Sequence, residues 1–133
     1  MKKIRVAYAP LYAHPLPDGH RFPMLKYELI PGQLMYEGTI SEEHLFEPAA
    51  CDDELICLTH NREYLDKLNT LSLSAREQRT IGFPQSMELT LREKIITQGT
   101  LDCCYYAMES GIALNVAGGT HHAFADRGEG FSC

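Results

Sequence analysis

The stretch Ile112-Ala113-Leu114-Asn115-Val116-Ala117-Gly118-Gly119-Thr120-His121-His122 decides how this chain is read. Ile112 to Val116 is nearly continuous in apolar character, the pattern of a strand buried in a parallel sheet. Upstream, Ser86 to Glu109 has the length and composition of a long helix, and Gly111 closes it as a residue able to take the left-handed conformation. A long helix followed by such a strand is half of a βαβ unit. The glycine pair and both histidines follow at the strand's carboxyl end, the edge where open α/β sheets build ligand sites.

Working outward, Ile4 to Tyr8 reads as a first strand that stops before Pro10, and residues 10 to 20 as a loop rich in turn formers. Pro23 suits the first turn of a helix through Tyr36, with Pro31 and Gly32 splitting it in two or kinking it. Leu45 to Pro48 is a short extended segment. Asp52 and Asp53 start a short helix through Leu58, Asn61 caps another through Leu68, and Ser74 opens a third that Gly82 and Pro84 terminate. Tyr64, Leu65 and Leu68 share one face of the second. In the long helix Ser86 makes an incomplete capping box, while Glu88 favours the positive helix end. Leu91, Ile95, Leu101, Tyr105 and Met108 form its apolar stripe, and Gly99 is either a weak point or a place of close backbone approach.

The 133 residues are one domain's worth of chain, 44% hydrophobic and 23% charged, which excludes global disorder. A net charge of -6 argues against a nucleic-acid surface and suits cationic partners such as lysine-rich peptides. Lys2, Lys3 and Arg5 precede too short an apolar run for a signal peptide, and no run approaches a membrane span. Five cysteines, two adjacent and none in a CxxC pair, read as reduced thiols of a cytoplasmic protein rather than a disulfide framework or zinc finger.

His121 and His122 are the strongest chemical feature. Two imidazoles behind a glycine pair can form a proton-transfer unit near neutral pH. In an extended segment they would point to opposite sides, whereas a glycine-flanked bend presents both to one pocket. From the dipeptide alone, two surface histidines in a loop is the competing reading. His14 and His20 take no role, and the only Asp-x-His run, Asp18-Gly19-His20, reads as loop structure.

The neighbouring residues add a family resemblance. Gly118-Gly119-Thr120-His121-His122-Ala123, then Asp126-Arg127-Gly128-Glu129-Gly130-Phe131, resembles the active-site segment of the histone deacetylase family, most of all its class IV and bacterial branches. A second patch is Asp18-Gly19-His20-Arg21-Phe22-Pro23-Met24. Weaker agreement runs through His60, Glu63-Tyr64-Leu65, Ile81-Gly82-Phe83-Pro84, Arg92 and Gly99-Thr100, in order along essentially the whole chain.

The resemblance implies residues 1–133 as the N-terminal part of one open, mainly parallel-sheet arginase/deacetylase-like α/β domain, incomplete as it stands. It implies a zinc hydrolase that removes acyl groups from lysine-type amines, the metal polarising the amide carbonyl and supplying the attacking water. His122 would be general base and then acid, with His121 its electrostatic partner. Gly130 and Phe131 would line the tunnel for the acyl-lysine stem, a flat ring beside methylenes. Arg21 would line the channel that releases carboxylate, as a buried guanidinium holding backbone carbonyls. The residue-level alternatives are a core phenylalanine and a surface arginine.

Ser132 stands where relatives often have cysteine, with Cys133 one place on. The family's zinc ligands, an Asp-x-His motif and a further aspartate, fall downstream of these motifs, as does its oxyanion-stabilising tyrosine. Zinc is thus expected of the longer family member and no metal of this chain, which should be inactive alone. Acylated lysine peptides or small acylated amines are the expected substrates of the whole protein. The fragment itself is expected to be marginal or oligomeric, since a central strand would lack sheet neighbours. The alternative is a non-catalytic binding or assembly module keeping the front of this fold.

Overall fold

The computed structural model describes residues 3–133, so Lys2 of the amino-terminal basic group lies outside it. Three short parallel strands, β1 (Arg5–Ala7), β2 (Leu45–Phe46) and β3 (Ala113–Asn115), form a sheet in the order β2-β1-β3. Val6 pairs with Leu45 on one side and Leu114 on the other, which makes β1 the central strand. Its Val6 and Ala7 are buried, as a central parallel strand requires.

Among the described residues there are five α-helices, α1 (Lys26–Tyr36), α2 (Asp53–Ile56), α3 (Arg62–Asn69), α4 (Ala75–Ile81) and α5 (Met87–Ser110), and α5 packs against the sheet. Their starts follow the capping chemistry. Asp52, Asn61 and Ser86 accept from backbone N–H groups of the first turn, and Ser74 with Glu77 forms a complete capping box not anticipated from the sequence. Gly82 and Gly111, both at φ 89°, end α4 and α5 in the left-handed conformation. Among the described residues no helix is long and apolar enough to cross a membrane.

Three expectations are corrected. Pro31 does not split α1 in two: the helix runs through it, and its ring is among the most completely buried side chains, so packing offsets the missing N–H. Residues Pro10–Ala13 form a 3-10 turn rather than open loop, because Tyr12 is drawn fully into the core. The buried face of α5 is Leu89, Arg92, Ile96, Gly99 and Cys103, whereas Leu91, Tyr105 and Met108 are exposed. That helix carries apolar residues on more than one side, so composition does not select the face that meets the sheet. Among the described residues β3 has β1 on one side and no strand on the other, with Leu114 exposed. Side chains alternate along a strand, and α5 covers only the Ala113 and Asn115 side: Asn115 donates to the Ile96 carbonyl (2.9 Å) and to Thr100 (3.0 Å).

Gly99 is a close-approach glycine, as one of its two readings anticipated, but the neighbours are side chains. A Cβ there would lie 2.7 Å from the Tyr12 hydroxyl, 2.9 Å from Pro48 and 3.0 Å from the Asn115 amide. Arg92, only 3% exposed, sends its Nε to the Tyr12 carbonyl (2.8 Å) and its Nη1 to Glu93 (2.6 Å). Its guanidinium also lies 5.0 Å from the Tyr27 ring centre, tying α5, the 3-10 turn and α1 together.

Candidate active-site segment

Beyond the carboxyl end of β3 the chain runs through Gly118 and Gly119 to the two histidines. The bend expected there exists, but His121 itself makes it, at φ 69°, and neither preceding glycine has a positive φ. Left-handed backbone is uncommon for side chains with a Cβ, although histidine tolerates it better than most residues. Both histidines are exposed. Among the described residues neither ring makes a hydrogen bond to a carboxylate.

The chain then doubles back. Residues 129–132 close a tight turn in which Ser132 N–H donates to the Glu129 carbonyl (2.9 Å), with Gly130 at φ 52° and Phe131 at φ 67°. Positive φ at both central positions makes this a type I′ turn, which explains the glycine. The C-terminal end of α4 holds it: Gly130 N–H donates to the Thr80 carbonyl (3.0 Å) and Phe131 N–H to Ile81 (2.6 Å). Thr120 donates its hydroxyl to the Gly130 carbonyl, tying the histidine segment to the same turn. The His122 ring therefore lies over Gly130, where a Cβ would meet its Cδ2 at 2.9 Å.

Phe131 sits in an aromatic cluster with ring centres 5.1 Å from Phe22, 5.3 Å from Phe83 and 5.7 Å from His20. His20 organises this cluster. Its Nδ1 accepts from Phe22 N–H (3.1 Å), so its Nε2 carries the proton and donates to the Gly82 carbonyl (2.7 Å). The patches around residues 18–24, 81–84 and 130–131, far apart in sequence, thus converge on one spot. Arg21 joins them, its guanidinium 5.1 Å from the Phe131 ring centre, but it is exposed. The buried guanidinium that holds a backbone carbonyl is Arg92 instead.

Two further residues grip the histidine loop. His60 places Nδ1 3.0 Å from the Phe124 carbonyl, and Asn61 N–H donates to the Ala125 carbonyl at 2.7 Å. Sequence reading noted His60 only as part of a weak pattern, since a contact spanning 64 residues leaves no local signal. Behind the site, a cavity of roughly 390 Å³ between α2, α3, α4 and α5 shares Ile81, Phe83 and Cys133 with its rear wall. Neither His121 nor His122 lines that cavity. Burial pushes the Cys133 thiol well above the ordinary cysteine range, with Glu93 adding to the shift and Arg92 opposing it. A thiol held neutral in this way is a poor nucleophile.

Among the described residues no three His, Cys, Asp or Glu side chains are grouped to hold a metal ion. The residues present therefore do not of themselves fit the zinc that the resemblance implies. What the arrangement offers is an exposed imidazole, His122, over Gly130 and next in chain to a second exposed one, His121, with Phe131 following the glycine in an aromatic cluster.

Known proteins share the fold and the family pattern of this chain. A protein of Picosynechococcus sp. is 39% identical over 126 residues, covering 95% of this chain and 42% of its own length. Histone deacetylase 2 of Arabidopsis thaliana is 26% identical over 118 residues, covering 84% of this chain and 30% of its own length. The chain thus spans less than half the length of these relatives. Two solved structures share the fold over 98% of this chain and 38% of their own: an HDAC homolog complexed with SAHA (TM-score 0.79, 22% identity) and an HDAC homolog from Aquifex aeolicus (TM-score 0.77, 20% identity). The histone deacetylase domain matches residues 20–133, taking in the aromatic cluster, both histidines and the turn beneath them, and the chain belongs to that family.

Proposed function

We propose that this chain is the portion of a deacetylase-family amide hydrolase that carries its acid–base pair, acting in the whole protein on acetyl or related acyl groups of lysine side chains or small amines. His122 takes a proton from the water attacking the amide carbonyl and delivers it to the leaving amine nitrogen, so that a C–O bond forms as the C–N bond breaks. His121 stabilises the charge His122 acquires and hydrogen-bonds the same water. Gly130 and Phe131 line the passage for the acyl-lysine stem, and Arg21 attracts the departing carboxylate. The observation that carries this reading is the His122 ring lying over Gly130, next to Phe131, which joins the proton carrier and the apolar wall through one turn. The 133 residues alone are inactive in this reading.

The test is hydrolysis of an acetyl-lysine peptide by a chain of the relatives' full length that carries residues 1–133. His122→Ala should lower kcat by about 10²-fold or more, the usual scale for a general acid–base group. A loss under about threefold would remove His122 from the chemistry. The 133-residue chain by itself should neither turn over the peptide nor retain zinc after dialysis. Retained zinc with turnover would overturn the inactivity, and tight peptide binding without hydrolysis by the longer chain would favour a binding module.

A further inference from the structure

We propose that His60 is a positioning residue for the His121–His122 pair, an assignment that rests on the proton-transfer reading above. A carbonyl oxygen only accepts, so the 3.0 Å approach of His60 Nδ1 to the Phe124 oxygen requires the proton on Nδ1. The residue is held from behind: its backbone N–H donates to the Ile56 carbonyl at 2.9 Å, and its ring centre lies 6.4 Å from that of buried Tyr64.

The next residue extends the grip by a different route. Asn61 is the N-cap of α3, its side chain accepting from Glu63 N–H at 3.0 Å. Its own backbone N–H lies outside the helix ladder and donates to the Ala125 carbonyl. Consecutive residues at the α2–α3 junction therefore hold consecutive carbonyls of the histidine loop, two and three places after His122. Thr120 holds the other flank through the Gly130 carbonyl.

Between these anchors the side chains from His121 to Arg127 are exposed, and the loop is further held by the His122 ring over Gly130 and a backbone bridge between Ala123 and Gly128. Ordering each loop residue costs about 1–2 kcal/mol, and a net hydrogen bond returns about 1 kcal/mol. Losing one anchor should therefore loosen the loop locally and leave the core folded. His60 reaches the loop through the Phe124 carbonyl, and it acts only through the backbone that carries the pair.

The experiment compares His60→Leu, which keeps bulk but removes the donor, with His60→Asn, whose amide nitrogen can occupy the Nδ1 position. Backbone order parameters for 121–125 and the ring resonances of His121 and His122 are read by NMR on the whole 133-residue chain. In His60→Leu the order parameters should fall from about 0.85 to below about 0.6 with both sets of ring signals shifted, and His60→Asn should restore them. Unchanged loop order in His60→Leu overturns the assignment. So does equal loosening in both variants together with a lowered melting temperature, which would mark His60 as a packing residue. In the full-length assay, His60→Leu should reduce kcat about tenfold at unchanged KM, with recovery in His60→Asn. Should His122→Ala prove harmless in that assay while His60→Leu still loosens the loop, the proton-transfer reading falls and the anchoring survives.

Discussion

The imidazole of His122 lies so close over Gly130 that a Cβ at position 130 would sit 2.9 Å from its Cδ2 and 3.1 Å from its Cγ. The glycine meets two demands at once, since its φ of 52° also belongs to the left-handed region that the turn needs. A side chain at 130 would displace the ring or open the turn.

Gly130→Ala is therefore expected to shift the ring resonances of His122 and to cost about 1–2 kcal/mol through the left-handed backbone. In a full-length enzyme the same change should lower kcat more than it raises KM. Unaltered His122 signals in the alanine variant would show that the ring does not depend on this contact.

At Gly99 two effects compete. Alanine gains about 1 kcal/mol in a helix interior relative to glycine. Against that, the new Cβ would lie under 3.0 Å from both the Tyr12 hydroxyl and Pro48, and Tyr12 is fully buried and unable to retreat. Overpacking of this kind costs roughly 1–3 kcal/mol, so Gly99→Ala should destabilise on balance. Urea denaturation at constant m-value measures it, and a stabilised variant would contradict the packing described for α5.

Arg92 and Glu93 should behave as a coupled pair. Burial raises the Glu93 carboxyl above its ordinary value, and the adjacent Arg92 guanidinium opposes that rise. Arg92→Met strands both the Tyr12 carbonyl and the Glu93 carboxylate, with an expected loss of about 3 kcal/mol. In a double-mutant cycle with Glu93→Gln the losses should fall short of additivity by about 1 kcal/mol. Simple additivity would mean that the 2.6 Å contact carries no net energy.

His14 supplies a pH dependence. Its half-buried ring has Nδ1 buried without a partner among the described residues, and burial first, then the Arg92 charge, lowers its pKa from the ordinary 6.5, with Glu88 opposing. Below pH 6.5 the unfolded chain takes up the proton more readily than the folded one. Stability from this group is thus complete above that pH and falls as pH drops, levelling out once the folded-state ring also protonates. Melting temperatures across pH 5 to 7.5 should slope upward in the wild type, and His14→Gln should flatten that slope.

Much of the local structure was legible in the residues themselves. Asp52, Asn61, Ser74 and Ser86 announced four helix starts, and Gly82 and Gly111 two helix ends, because caps and left-handed turns depend on side chains a few places away. The glycine–histidine run and Gly130-Phe131 stood out for the same reason. The orientation of Arg21, the silent role of Arg92 and the grip of His60 on Phe124 were not legible, since each joins residues remote in sequence.

Sequence alone thus determined the order of strands and helices, their ends, and the motif that marks the family, all matters of backbone conformation within a few residues. Only the tertiary structure decided which side of α5 meets the sheet and that residues 18–24, 81–84 and 130–131 close around Phe131. Burial and ring contacts depend on which distant surfaces meet, and a helix such as α5 with several apolar sides leaves that choice to its partners.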